Sequence, residues 1–341
     1  MLRRGAKIAA EPSIVPKSAI RLSWPARWPV GSRPSPLKPR VTLAPMFSYR
    51  HGFHAGNHAD VLKHTTLIAL LRHLCQKETP ISVLDTHAGA GLYRLDSRHA
   101  LTSYESSQGI GRLIATPTTE ALAPALRDYL DTVASFNRAG DWRIYPGSPF
   151  IIHRLLRAQD RLVLFELHPT DAQALLTNVG QLRSGRQIET RIEDGFEGVR
   201  ALLPPPSRRG LVLCDPSYEI KSDYARVATM LGDALKRFAT GVYAVWYPLI
   251  PRPEAHALPR KLKTLAGHHG RPWLNVSLTV KSGRTGTTRD NAQHGGGLPA
   301  SGMFIINPPH TLKGTMQEAL VQISGLLAQD RHASFILDSA N

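Results

Sequence analysis

The sequence is poor in cysteine and lacks long apolar runs. Cys75 and Cys214 are the only cysteines among its 341 residues, and each lies in an apolar stretch. This pattern argues against a disulfide framework or a multi-cysteine metal site and is typical of a reducing compartment, so we expect a cytoplasmic protein. Because the sequence has no run of about 18 apolar residues, we expect no membrane-spanning helix and no membrane partner.

Acidic residues are also scarce. The chain has 42 Lys and Arg against 26 Asp and Glu, which gives a formal charge of +16. Its 42% hydrophobic and 20% charged residues are typical of a globular protein, so wholesale disorder is not expected. The basic excess suits a polyanionic partner such as a nucleic acid without requiring one.

Half of that excess lies in residues 1–45, which contain nine basic residues, one acid and eight prolines. So many prolines forbid a continuous helix or strand, and we expect 1–45 to be a disordered, basic, proline-rich extension. A start codon at Met46 would leave it untranslated; an organelle-type presequence or an RNA-binding arm are the alternatives. The folded domain is then expected to span residues 46–341.

Hydrophobic periodicity predicts an α/β fold. Val61, Ile68, Leu71 and Cys75 recur at helical spacing within residues 58–77, with Asn57 as a candidate N-cap. The period then changes to short apolar runs typical of buried strands in a mostly parallel sheet. These runs cover residues 81–84, 162–165, 211–214, 242–246, 274–280 and 303–306.

Two segments interrupt this alternation. Residues 95–141 are long and polar, with helical character around 120–137, and we expect a small helical insertion at the ligand edge of the sheet. Residues 283–298 are glycine-rich and polar, which predicts a mobile loop.

Acidic residues follow successive predicted strands. The first strand leads through Asp85 into the glycine turn of residues 88–91, and the later ones are followed by Glu166, Asp194 and Asp215. Because ligands of open α/β sheets bind beyond the carboxyl ends of the strands, these acids are candidate ligand contacts. A carboxylate there can accept hydrogen bonds from ribose hydroxyls, and the next one can accept from an adenine amino group. The pattern therefore indicates a nucleoside-bearing cofactor.

The same residues argue against a nicotinamide dinucleotide. That fingerprint needs a third glycine three residues after the second, and an acid about 20 residues further on. Here Arg94 occupies the position of the third glycine, and Glu166 lies 75 positions beyond Gly91.

The most specific motif is Asp215-Pro216-Ser217-Tyr218. It resembles the [DNS]-P-P-[YFW] motif of S-adenosylmethionine-dependent amino methyltransferases. An aromatic exocyclic amine is a poor nucleophile because its lone pair is delocalised into the ring. The Asp215 carboxylate and the Pro216 carbonyl can accept both N–H groups and favour a more tetrahedral nitrogen, and Tyr218 is expected to stack on the extruded base.

Longer segments extend this resemblance from Met46 nearly to the end of the chain. They are residues 46–64, LDTHAGAG at 84–91, YPGSP at 145–149, ELHP at 166–169, DGF at 194–196, RRGLVLCDPSYE at 208–219, KRFATGVYAVWYP at 236–248 and ASGMFIINPP at 300–309. Together they resemble the bacterial large-subunit ribosomal RNA adenine-N6 methyltransferase family of the J type. The resemblance implies a Rossmann-like S-adenosylmethionine-dependent methyltransferase sheet with a small helical insertion.

The resemblance also implies an activity and a set of site residues. The expected reaction is N6-methylation of one adenine in 23S rRNA, either protein-free or in an early assembly intermediate, by a monomeric enzyme. Asp215 is the implied catalytic acid and Tyr49 the implied substrate contact. The implied cofactor contacts are Lys63 or His64, His87, Ser148, Glu166, Asp194, Gly195 and Asp215. The chain departs from the family at Ser217, which replaces a second proline, and in the segment before Met46.

Other interpretations remain at this stage. His51, His54, His58 and His64 could suggest a metal site, but no Cys or Asp cluster accompanies them, and we expect none. A DNA adenine methyltransferase would share every catalytic feature named above. A catalytically idle rRNA-binding assembly factor would keep the basic surface, with Ser217 marking a decayed site.

Overall fold

The computed structural model describes residues 51–97, 100, 103–116, 122–282 and 297–341. Tyr49, the extension at 1–45 and most of the glycine-rich loop lie outside the described residues. Among the described helices, none is long and apolar enough to cross a membrane.

Strands and helices alternate along much of the chain. The strands are Ser82–Asp85 (β1), Leu92–Arg94 (β2), Ile144–Pro146 (β3), Arg161–Phe165 (β4), Ile188–Arg191 (β5), Gly210–Cys214 (β6), Val242–Pro248 (β7), Trp273–Thr279 (β8), Ala300–Ile306 (β9) and Ser334–Ala340 (β10). The α-helices are His58–Leu74 (α1), Ile110–Ile114 (α2), Pro124–Ala134 (α3), Ser148–Leu155 (α4), Pro169–Gly180 (α5), Gly195–Gly198 (α6), Ser222–Arg237 (α7), Pro253–His268 (α8) and Leu312–Leu326 (α9).

Eight of these strands form one sheet in the order β10-β8-β9-β7-β6-β1-β4-β5. β7, β6, β1, β4 and β5 pair in parallel, and β9, β8 and β10 add to β7 with antiparallel pairing. The parallel half confirms the predicted α/β class. Its carboxyl ends share one edge, so Asp85, Glu166 and Asp215, which end or follow β1, β4 and β6, meet there.

Helices cover both faces of the sheet, which explains the uninterrupted apolar runs. Val83 and Leu84 are neighbours in β1, yet they belong to opposite hydrophobic cores because successive side chains of a strand point to opposite faces. One core contains residues of α1, α3, α4 and α9, and the other contains residues of α6, α7 and α8.

Helix α1 differs from the predicted amphipathic helix. Its N-cap is as predicted, because the Asn57 side chain accepts from the N–H groups of Ala59 (2.9 Å) and Asp60 (3.0 Å). The helix ends at Leu74 rather than at Lys77, and it is buried on nearly all sides. The reason is tertiary: α3, α4 and α9 pack around it in addition to the sheet.

All six predicted apolar runs fall on strands, and Asp194 follows a strand as predicted, but no apolar run marked the edge strands β5 and β10. β5 is half-buried along its whole length, and β10 is exposed or half-buried throughout, so neither carries a continuous apolar run. Within the segment expected to be an insertion, the structure describes α2 and α3, and β2 and β3 bracket it with Leu92 opposite Pro146. Helix α3 packs on α1 and α9.

Candidate active site

A cavity of about 280 Å³ opens at the carboxyl edge of the parallel strands. It brings together nine of the residues predicted from the sequence: Lys63, His64, His87, Ser148, Glu166, Asp194, Gly195, Asp215 and Pro216. These residues come from α1, from the start of α4 and from the segments that follow β1, β4, β5 and β6.

Glu166 is held by backbone groups of two segments. Its Oε2 accepts from the Gly89 N–H and its Oε1 from the His168 N–H, both at 2.7 Å. Gly89 has a φ of +60°, a conformation that glycine adopts without strain. Burial raises the pKa of Glu166, an effect that these two hydrogen bonds oppose. Because a carboxylate oxygen can accept two hydrogen bonds, Glu166 can also accept from a pair of hydroxyls in the cavity.

Asp194 caps the short helix α6 and pairs with an arginine. Its Oδ1 accepts from the Phe196 N–H (3.0 Å), and its Oδ2 pairs with the Arg226 guanidinium (2.5 Å). The guanidinium carbon of Arg226 also lies 4.3 Å from the centre of the Phe196 ring. Arg226 lines the cavity, and no motif in the sequence marked it, because α7 brings it there from 32 positions along the chain.

Gly195 allows the chain after β5 to approach the chain after β1. A Cβ atom at Gly195 would lie 2.1 Å from the Thr86 carbonyl oxygen, which no side chain can tolerate without a backbone shift. The next residue of that turn is His87, whose ring meets the Phe196 ring edge-on at 4.8 Å. Burial lowers the pKa of His87 to about 4, so its imidazole is neutral at pH 7.

Ser148 and His64 form the inner wall of the cavity. The Ser148 hydroxyl donates to Asp85 Oδ2 (2.7 Å). Burial raises the pKa of Asp85 to about 7, although the Ser148 hydrogen bond opposes this shift. His64 Nδ1 lies 2.8 Å from the Tyr145 hydroxyl. No motif in the sequence gives Asp85 a role beyond its place in the strand-end turn.

Lys63 pairs with the first residue of the Asp215–Tyr218 motif. Its ammonium group lies 2.5 Å from Asp215 Oδ2 and 2.9 Å from Asp60 Oδ1. Burial by itself would lower the pKa of Lys63, but the attraction of these two carboxylates raises the pKa above its usual value. Lys63 is therefore a buried cation that holds Asp215 in place.

The position of Tyr218 contradicts its predicted role. Its ring is buried outside the cavity lining, its hydroxyl donates to the Trp246 carbonyl (2.7 Å), and it packs 4.6 Å from the Tyr224 ring. The backbone at Tyr218 has a φ of +55°, which turns the side chain into the core. We therefore correct the expectation that this ring stacks on a base: it anchors the motif to β7.

Two of the histidines near the start of α1, His54 and His58, have different partners. His54 Nδ1 lies 2.9 Å from Glu105 Oε2, and His58 Nε2 donates to the Leu298 carbonyl (2.7 Å). Within the described part of the chain, no group of three or more His, Cys, Asp or Glu side chains could hold a metal ion.

The fold and the site define a class of protein. A Rossmann-like sheet with a glycine turn after β1 and acids after β4, β5 and β6 is the arrangement of an S-adenosylmethionine-dependent methyltransferase. A Legionella pneumophila protein of known crystal structure has the same fold, with a TM-score of 0.73 and 32% identity over 84% of this chain and 98% of that one.

The particular family follows from sequence comparison. The model of the family described as "Ribosomal RNA large subunit methyltransferase D, RlmJ" matches residues 78–336. Two proteins named ribosomal RNA large subunit methyltransferase J are similar to the chain. The one from Escherichia coli K12 is 45% identical over 81% of this chain and 92% of its own length. The one from Haemophilus influenzae is 41% identical over 86% and 98%. The chain belongs to this family and is a methyltransferase.

Proposed function

We propose that this enzyme methylates N6 of one adenine in 23S rRNA, with S-adenosylmethionine as the methyl donor. This proposal rests on the observation that Asp215 and Pro216 line the same cavity as Glu166 and Asp194. The family supports rRNA as the substrate class. We further propose that the substrate is protein-free 23S rRNA or an early assembly intermediate, and that the enzyme acts as a monomer in the cytoplasm.

The residues of the cavity fit the proposed cofactor. Glu166 is placed to accept hydrogen bonds from the ribose hydroxyls, and Asp194 from the adenine amino group, with Gly195 allowing the close approach of the chain. His64, His87 and Ser148 would complete the cofactor site. Lys63 would lie between this site and Asp215. Bound there, S-adenosylmethionine supplies an electrophilic methyl group.

The catalytic motif would activate the adenine amine. The Asp215 carboxylate and the Pro216 carbonyl accept its two N–H groups, so the nitrogen lone pair becomes available toward the methyl carbon. Methyl transfer would form the N–C bond as the S–C bond breaks and S-adenosylhomocysteine leaves, and the proton that the nitrogen loses would pass along its hydrogen bond to the Asp215 carboxylate. Lys63 would fix the orientation of Asp215 through their ion pair, and Tyr218 would hold the motif against β7 through its hydrogen bond to the Trp246 carbonyl. Tyr49 is the proposed substrate contact.

The test is to map methylated adenosine by mass spectrometry in 23S rRNA from cells with and without the protein. One N6-methyladenosine that disappears with the protein is the expected result. The purified enzyme should also transfer labelled methyl groups to protein-free 23S rRNA. Transfer to duplex DNA in preference to rRNA would favour a DNA methyltransferase. Cofactor affinity without transfer to any nucleic acid would favour an assembly factor.

A further inference from the structure

Beyond Glu254 in its first turn, helix α8 (Pro253–His268) exposes charged side chains of one sign only. The sequence contains no Asp or Glu between Ala255 and Arg289. Within α8, which packs on α7, β8 and β9, the side chains of Ala255, Leu258, Leu262 and Ala266 are buried. The opposite side exposes His256, Arg260, Lys261, Thr264 and His268.

The charges of this face are not neutralised by neighbouring acids. Among the described residues, no carboxylate lies within ion-pair distance of Arg260 or Lys261. Lys263, on the flank, does have partners: it pairs with Asp338 and lies 4.7 Å from the centre of the Trp273 ring. Helix α7 provides a contrast, because its Asp233 pairs with Arg200 and Lys236.

This face begins at the rim of the catalytic cavity. Ser217, Glu219 and Ile220 line the cavity, and the same segment is tied to the start of α8. Arg252 donates to the Tyr218 carbonyl (3.1 Å), and Lys221 lies 3.7 Å from Glu254. At about 1.5 Å per residue, the helix extends roughly 24 Å away from the rim. The basic face therefore lies on a helix whose first turn is tied to the rim of the cavity.

We propose that the outer face of α8 binds the phosphate backbone of the RNA that flanks the target adenosine, with Arg260 and Lys261 as its central contacts. The inference rests on the proposed function, because it assumes an RNA substrate. When the target base is inside the cavity, the phosphates on either side of it remain outside. Arg and Lys are the side chains that neutralise phosphate and release its counterions. Such contacts position the RNA and carry no sequence information themselves.

The experiment uses the full chain and protein-free 23S rRNA, with KM measured between 50 and 200 mM salt. Each lost phosphate contact should reduce the slope of log KM against log salt by about 0.7 to 0.9. The double variant Arg260→Gln/Lys261→Gln should therefore flatten the slope by about 1.4 to 1.8. Its kcat, its affinity for S-adenosylhomocysteine and its thermal unfolding should equal those of the wild type, because both side chains are exposed and outside the cavity lining.

Two further variants make the result specific. Arg183→Gln/Arg186→Gln removes the same charge from exposed positions between α5 and β5, at the opposite edge of the sheet, and should keep the wild-type slope. Arg260→Lys/Lys261→Arg keeps the charge and should also keep the slope. An unchanged slope in the α8 glutamine variant, equal flattening in the Arg183/Arg186 pair, or a fall in kcat alone would each overturn the inference. Absence of rRNA methylation by the wild type would instead overturn the proposed function.

Discussion

At the scale of single residues, the two carboxylates of the proposed cofactor site give the most direct test. Glu166→Ala and Asp194→Ala should each weaken S-adenosylmethionine binding by about 1 to 3 kcal/mol, the range for losing hydrogen bonds to a charged group. Titration calorimetry measures the effect. Glu197→Ala is the matched control, because Glu197 is an exposed acid that pairs with Arg200 outside the cavity. Wild-type affinity in both cavity variants would show that these two carboxylates do not bind the cofactor.

The catalytic motif makes a second prediction at this scale. Asp215→Ala deletes an acceptor and separates Lys63 from one of its two partners, so turnover should fall by about 10² to 10³. Ser217→Pro should change turnover only about two- to fivefold, because restricting one residue is worth roughly 0.4 to 1 kcal/mol. Single-turnover methyl transfer measures both. An inactive wild type rescued by Ser217→Pro would contradict this account and favour the assembly factor.

At the scale of elements, the junction between the end of β1 and the start of α6 depends on a glycine. Gly195→Ala should destabilise the fold by about 1 to 3 kcal/mol, because the new Cβ would meet the Thr86 carbonyl at 2.1 Å. Gly180→Ala, at the end of α5 with open space around it, should be neutral or stabilising by up to about 1 kcal/mol. Urea unfolding compares the two. Equal stability of both variants would show that the chain at Thr86 can move aside.

At the scale of the whole molecule, the charge is divided between the folded domain and the extension. Because residues 1–45 carry half of the net charge, truncation to Met46 should flatten the salt dependence of RNA affinity only in part. Cofactor affinity and thermal unfolding should be unchanged, since the described residues that line the cavity all lie between Lys63 and Arg226. Measurement of all three on both lengths of chain is the test. Loss of folding on truncation would place residues 1–45 within the domain.

The sequence alone was sufficient for features that depend on local pattern. The strand runs at 81–84, 162–165 and 211–214 were predictable because burial on both faces requires continuous apolar residues. The acids at the strand ends were predictable because parallel strands share one carboxyl edge, which brought Glu166 and Asp215 into one cavity. The cap at Asn57 was predictable because it depends only on neighbouring N–H groups.

Only the tertiary structure decided how these residues are paired and oriented. Arg226 meets Asp194, and Lys63 meets Asp215, because packing brings separate elements together, and neither pair has a sequence spacing that reveals it. The ring of Tyr218 faces the core because one left-handed residue and the Trp246 carbonyl determine its direction. The sequence by itself determined the buried strands, the cap of α1 and the positions of the acids, since these follow from short-range pattern. The ion pairs and hydrogen bonds of those acids join residues far apart in the chain, so only the folded structure could determine these contacts.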